Sequence, residues 1–256
     1  MRLLLAATIV AGMMSLAHSP AEAAEASCDT TPVVAHRAIV TNEAENSKGA
    51  VRASIEAGVP FEVDLRTTAD DSIVLMHDQT ITRTTNGRGR VAGMTAAKIA
   101  RYRTADRGRV PFVGFVLRRV RDNPAARVYL DLKSLSRAAH RDLASRIADY
   151  GITDQVTAIA FGADVLADFR ARSPGVATQH IEKRNLPTPQ QAETYGGVSV
   201  FVDLVTEAWV EEMHDRDVTF SMRIDDRPDS WDKGVAAGVE SIMSDDLSGY
   251  DAYCTG

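Results

Sequence analysis

Two histidines and a few charged side chains stand at the ends of strand-like runs. His36 and Arg37 follow the β-branched run Val33–Ala35, Glu62 and Asp64 alternate within residues 61–65, His77 and Asp78 end the run that begins at Ile73, and Asp131 and Lys133 alternate where residues 127–132 finish. Residues two apart on a strand share a face. Glu62 with Asp64, and Asp131 with Lys133, can therefore point to one side while Val63 and Leu132 point to the other. Charges turned into an interior are costly unless they are paired or bind metal. Carboxylates from two strands suit a hard divalent cation, Mg²⁺ or Ca²⁺, with oxygen ligands at roughly 2.0–2.6 Å. Zinc is disfavoured, because no cysteine and no closely spaced histidine pair joins them. Each piece also has a plain reading: a solvated strand face for Glu62 and Asp64, exposed rings for the histidines, an ion pair for Asp131 and Lys133. Their joint placement at strand ends argues for a site.

The elements that must position them alternate. Helical patterns over residues 46–57 (stopped by Gly58), 95–102, 113–122, 136–150, 163–172, 207–216 and 230–237 separate strand-like runs at 33–35, 61–65, 127–132, 156–161, 176–180, 198–204, 218–222 and 239–243. The run at 73–76 follows a turn-like Asp70-Asp71-Ser72 and reads as a hairpin partner or an excursion. About eight β/α units imply parallel strands with helical crossovers, in an open doubly wound sheet or a closed (β/α)8 TIM barrel. The barrel is favoured, since closure sets the first strand beside the last and would bring Cys28 near Cys254. All the charged pairs then share the C-terminal rim of the strands, where barrel enzymes carry their chemistry. Ala35-His36-Arg37-Ala38 stands where a dinucleotide-binding fold would have its glycine-rich loop, which removes the main support for a nucleotide cofactor.

The chain has 256 residues, 45% apolar and 25% charged, so it is a globular protein with a core that needs no metal or disulfide merely to fold. A net charge of −6 argues against a nucleic-acid partner and requires any site for an anion to be positive locally. Arg2, the apolar run that follows it and Ala21-Glu22-Ala23 read as a secretory signal peptide over residues 1–23, leaving one domain over 24–256 and no stable membrane anchor after cleavage. In a secreted or periplasmic protein the two cysteines are expected to pair.

At these residues the sequence resembles the glycerophosphodiester phosphodiesterase family, which shares its barrel with the phosphatidylinositol-type phospholipases C. The matching stretches are Ala35-His36-Arg37, Glu45-Asn46, Phe61-Glu62-Val63-Asp64 and the run from Val74 to Gly87, with weaker matches near Lys133 and at Met243-Ser244-Asp245. The resemblance implies hydrolysis of a glycerophosphodiester to an alcohol and glycerol 3-phosphate. It implies His36 and His77 as the acid–base pair, Glu62, Asp64 and Asp131 as ligands of a divalent cation, and Arg37 and Lys133 as phosphate contacts. Imidazole's ordinary pKa of about 6.5 lets one ring accept a proton while the other donates. Water or the substrate's own 2-hydroxyl could be the nucleophile.

The sequence departs from the family pattern at Ala38 for a glycine, Ala44 for the proline before Glu45-Asn46, Asp131 for a glutamate, Val110-Pro111-Phe112-Val113 for a more polar segment, and Met222 where an aromatic is common. Two other activities stay open. A phospholipase or lyase acting on lysolipid or sphingolipid diesters would need an apolar ledge near the mouth, which residues 110–115 could supply. A non-catalytic barrel would bind the phosphate ester without turnover. The sequence leaves the head group and the oligomeric state undetermined.

Overall fold

The computed structural model describes residues 27–223 and 226–256. The expected signal peptide over residues 1–23 lies outside them. Among the described residues no helix is long and apolar enough to cross a membrane.

The alternation closes into a barrel. Eight parallel strands, β1 (Val33–Ala35), β2 (Phe61–Thr67), β4 (Val128–Ser134), β5 (Val156–Ala160), β6 (Ala177–Glu182), β7 (Val198–Val200), β8 (Phe220–Met222) and β9 (Ile242–Ser244), pair in order. β1 completes the ring by pairing with β9 at Val33↔Ile242, Val34↔Met243 and Ala35↔Ser244, and with β2 at Ala35↔Phe61. The run after Asp70-Asp71-Ser72 is β3 (Ile73–Leu75), which folds back antiparallel on the outer end of β2. It opens an excursion with its own small core of Val74, Met76, Ile81, Val91, Met94, Ile99 and Val110. Gly87 is required there, since a Cβ would lie 2.5 Å from the Tyr102 ring.

Helices α1 (Lys48–Glu56), α2 (Ala96–Ile99), α3 (Val113–Arg121), α4 (Arg137–Tyr150), α5 (Ala163–Arg172), α6 (Pro189–Tyr195), α7 (Glu207–Asp215), α8 (Pro228–Ala236) and α9 (Leu247–Thr255) follow in chain order. α4 illustrates how sequence sets them. Ser136 accepts the Ala139 amide at the N-cap, and Gly151 ends the helix at φ 64°, a left-handed conformation that glycine adopts without a Cβ clash. Ala139, Leu143 and Ile147 recur at four-residue spacing on the face turned to the barrel, and truncating Leu143 to alanine would cost about 2–5 kcal/mol. His140 lies on the same face. It is buried and bonded through Nδ1 to Asp168 Oδ2 at 2.7 Å, where the sequence pattern favours an exposed ring.

The apolar core has an outer and an inner part. Val63, Leu65, Leu130 and Leu132 pack outward beneath α3 and α4, and Phe220 packs beneath Trp209 of α7. Val34, Tyr129, Ile159, Ile181 and Met243 fill a small cluster of their own. Cys28 and Cys254 are disulfide-bonded with Cα atoms 5.8 Å apart, tying the chain's ends beside the β1–β9 seam.

Candidate active site

The acidic cluster grows out of strand register. Asp64 on β2 stands opposite Asp131 on the parallel strand β4, and Glu62 precedes Asp64 by one pleat on the same face. All three are fully buried, and one oxygen from each lies within 4.8 Å of the others. Glu62 Oε1 and Asp131 Oδ1 have no hydrogen-bond partner, and Asp64 Oδ1 meets only the Lys133 ammonium, 3.2 Å away. The opposite oxygens are engaged. Arg37 N donates to Glu62 Oε2 at 2.9 Å, Asn46 Nδ2 to Asp64 Oδ2 at 2.7 Å, and Lys133 Nζ lies 2.6 Å from Asp131 Oδ2.

Electrostatics sets the carboxylates apart. Burial, reinforced by the charges of Asp64 and Asp131, pushes the Glu62 carboxyl well above the usual carboxylate range. Burial acts the same way on Asp64, but the Lys133 ammonium and the Asn46 amide outweigh it and hold that carboxyl low. Buried carboxylates that repel one another, two of them with an oxygen lacking any donor, form a donor set fitted to a hard divalent cation rather than to hydrogen bonding alone. The residues present therefore fit the metal that the sequence implies.

Each histidine is held by a carboxylate. His36 sits in the turn after β1, where Arg37 and Ala38 both take positive φ, 53° and 61°. That turn aims the Arg37 amide at Glu62. His36 Nδ1 lies 2.7 Å from Asp245 Oδ1, just after β9, which leaves Nε2 facing Glu62 Oε2 at 4.0 Å. The His36 hydrogen bond holds Asp245 below the usual range, against partial burial. With an ionised carboxylate as partner, Nδ1 is assigned as the donor. His77 is arranged alike. Its Nδ1 is 2.8 Å from Asp78 Oδ1, and its carbonyl oxygen accepts from Arg66 Nε at 2.9 Å and Nη2 at 2.6 Å. Arg83 bridges Asp78 and Glu45 and holds Asp78 far below the usual range. Arg37 pairs with Glu45 at 3.0 Å and approaches Asp64 at 3.8 Å, so its guanidinium lies beside the acidic cluster.

Several further participants support the proposed ligands and rings. Asp245 and Asp78 orient the rings, and Asn46 clamps Asp64 in both directions, its Oδ1 also accepting the Asp64 amide at 2.9 Å. The matched pairs Glu45-Asn46 and Ser244-Asp245 carried that signal. Arg223, after β8, is buried and reaches Asp131 Oδ2 at 3.3 Å. Arg83 holds the acidic pair Asp78 and Glu45, and Arg66 holds the His77 carbonyl. Trp209 of α7 and Trp231 of α8 are buried in the core, against Phe220 and against Tyr250 and Tyr253 respectively. Residues 110–115, where a lysolipid reading needs an apolar ledge, divide between the core and a partly covered surface. Val110 and Val113 are buried, and Phe115 lies beneath Lys48, Arg52 and Arg119. The large exposed apolar side chain among the described residues is Phe161, at the end of β5, ringed by Lys133, Lys183 and Arg223.

Comparison with known proteins agrees with this geometry. The model of the glycerophosphoryl diester phosphodiesterase family matches residues 36–248. A glycerophosphodiester phosphodiesterase of Caldanaerobacter subterraneus subsp. tengcongensis is 26% identical over 234 residues, covering 84% of this chain and 94% of that protein. A crystal structure of a glycerophosphodiester phosphodiesterase from Parabacteroides distasonis superposes with a TM-score of 0.77 at 20% identity over 88% of this chain and 98% of that one. A phosphodiesterase from Oleispira antarctica, solved with its product sn-glycerol-3-phosphate, superposes with a TM-score of 0.79 at 15% identity over 89% of this chain and 98% of that one.

Proposed function

Because the chain belongs to the glycerophosphoryl diester phosphodiesterase family, we propose that it is an exported, metal-dependent enzyme that hydrolyses glycerophosphodiesters to an alcohol and glycerol 3-phosphate. The observation that carries this is the trio of fully buried carboxylates, converging within 4.8 Å beside His36, a ring already oriented by Asp245.

Glu62, Asp64 and Asp131 would hold the divalent cation, Mg²⁺ or Ca²⁺. When bound, it stabilises negative charge on the phosphate oxygens. Arg37 and Lys133 neutralise the remaining charge of the diester from beside the same carboxylates. An oxygen of water attacks phosphorus as the bond from phosphorus to the alcohol oxygen breaks. One of His36 and His77 removes the proton from the attacking oxygen, and the other delivers a proton to the departing alkoxide, so that a neutral alcohol and a phosphate monoester leave. Asp245 and Asp78 fix each ring by its Nδ1 and stabilise the imidazolium when it carries the proton. Residues 24–256 are the working domain and 1–23 the export signal. The disulfide between Cys28 and Cys254 supports an oxidising destination.

The test is incubation of the purified mature protein with a set of glycerophosphodiesters, with chelator and with added Mg²⁺ or Ca²⁺. Turnover is expected only with metal, and His36→Ala and His77→Ala should each lose at least about 100-fold. The cation should also raise the melting temperature, since a ligand at a hundred times its Kd adds about 2.7 kcal/mol. Absence of hydrolysis with any added divalent metal would refute the proposal.

A further inference from the structure

Beside the acidic cluster lies a cavity of about 260 Å³ of whose lining the proposed chemistry uses Lys133 alone. Arg66, Arg90 and Lys133 line it, together with Gln79, Thr67 and Ser134, and no acidic residue does. Its floor is shared with the site, because Lys133 is the same ammonium that touches Asp64 and Asp131. The wall is built by a break in register. β2 and β4 run in step to Leu65↔Leu132 and then shift, so that Arg66 stands opposite Ser134. Such a bulge re-aims the side chains beyond it. Arg66 spends two donors on the His77 carbonyl, and Arg90 one on Gln79 Oε1 at 2.7 Å, which leaves other guanidinium donors of both for a ligand.

This basic cavity belongs to a chain of net charge −6. On the opposite flank of Lys133, the exposed face of Phe161 is also occupied by cations, with Lys183 Nζ 4.4 Å and Arg223 Cζ 5.6 Å from the ring centroid. Arg223 Nη1 is buried without a partner among the described residues. Acidic groups at the mouth are engaged elsewhere: Asp245 with His36, Asp226 with Ser244 and backbone amides, Glu182 with the amides of Lys183 and Arg184, and Asp203 with Arg227. A quaternary ammonium would meet like charge here, and the exposed aromatic face is taken. Guanidinium groups in a small polar cavity instead match phosphate, which they bind in paired hydrogen bonds.

We propose that this protein selects glycerophosphodiesters whose second alcohol carries a further phosphate, and that the cavity of Arg66, Arg90 and Lys133 receives that group. The inference rests on the phosphodiesterase reading and narrows its substrate.

The experiment measures kcat/KM with metal present for three substrates: glycerophosphoglycerol, the same diester bearing a terminal phosphate, and glycerophosphocholine. The phosphorylated diester is expected to exceed glycerophosphocholine by at least about tenfold, with a ratio that falls as salt is raised. Arg90→Gln and Arg90→Glu, both at an exposed side chain, should cut the preference for the phosphorylated over the unphosphorylated diester by about tenfold or more, with melting curves confirming that they fold. Equal rates, a preference for glycerophosphocholine, or a preference that responds to Lys183→Glu but not to Arg90→Glu would overturn the proposal. Hydrolysis of none of the three would overturn the phosphodiesterase reading itself, and this inference with it.

Discussion

Replacing Asp245 by asparagine isolates the part of the chemistry that depends on ring orientation. The carboxylate lies 2.7 Å from His36 Nδ1, on the side of the ring away from Nε2 and Glu62. A hydrogen bond to a charged partner contributes about 1.5–3 kcal/mol and a neutral one about 0.5–1.5 kcal/mol, so the amide withdraws about 1–2 kcal/mol from the imidazolium formed in proton transfer. That alone is about a tenfold loss. An amide can also turn its NH₂ toward Nδ1 and force the ring proton to Nε2, which adds a further loss. Together a 10- to 100-fold fall in kcat is expected, with KM changed by less than about threefold because Asp245 stands behind the ring. The pH dependence follows from sign. A carboxyl held below its ordinary value of 3.8 is ionised throughout neutral pH, so titration of Asp245 itself adds no pH dependence to wild-type kcat above about pH 5, and its support is lost only in acid. Steady-state rates with any hydrolysed diester provide the assay. Asp246→Ala is the control: this neighbour caps α9 by accepting the Gly249 amide at 2.9 Å, so its loss should cost about 1 kcal/mol of stability and leave kcat alone. An Asp245→Asn enzyme within twofold of wild type, or one changed only in KM, would refute the positioning role.

Three further outcomes can be checked by unfolding. The disulfide closes a loop spanning 226 residues, so Cys28→Ser with Cys254→Ser should lose about 5 kcal/mol and, at about 2–4 °C per kcal/mol, lower the melting temperature by about 10–20 °C. Ala38 is fully buried at φ 61°, a conformation that costs a non-glycine residue about 1–2 kcal/mol. Ala38→Gly relieves that strain while losing about 0.8 kcal/mol of methyl burial and loosening the unfolded chain, so chemical denaturation should place it within about 1 kcal/mol of wild type. Ala144→Gly inside α4 should cost about 1.5–2 kcal/mol, and equal costs at the two positions would contradict the argument. Arg83 hydrogen bonds hold Asp78 below its ordinary value of 3.8; burial opposes Glu45, yet Arg83 and Arg37 hold that carboxyl below 4.5. Lowered carboxyls stabilise the fold above those values and lose that contribution as pH falls through and below them, so wild-type melting temperature should drop more steeply than that of Arg83→Gln between about pH 5 and 3.

The architecture was legible wherever two periodicities alternate. Glu62, Val63 and Asp64 announce a strand with one charged face, and α5 occupies the residues that the pattern predicts. α6 was less visible, since its polar Pro-Gln-Gln-Ala-Glu-Thr-Tyr buries little beyond Pro189 and Ala192; its signature is instead the capping box between Thr188 and Gln191. α9 escaped for a related reason, with Gly249 interrupting a weakly one-sided pattern. The expected run at 198–204 shortens to β7 followed by a single turn at Val202–Leu204. For the site, chemistry-bearing types at strand ends pointed to the acids and the histidines. Their supporting partners depend on pairing across 209 residues, as between His36 and Asp245, and no local pattern encodes which carboxylate will stand behind which ring.

The seam between β1 and β9 gives the assembled dyad a second meaning. His36 leaves the first strand and Asp245 leaves the last, and those two strands meet along three paired residues next to the covalent clasp of the termini. The ring of His36 therefore gains its partner only once the strand that closes the barrel is in place. A chain lacking β9 and the turn after it would keep both imidazoles and the three clustered acids, yet leave His36 without the carboxylate that orients it.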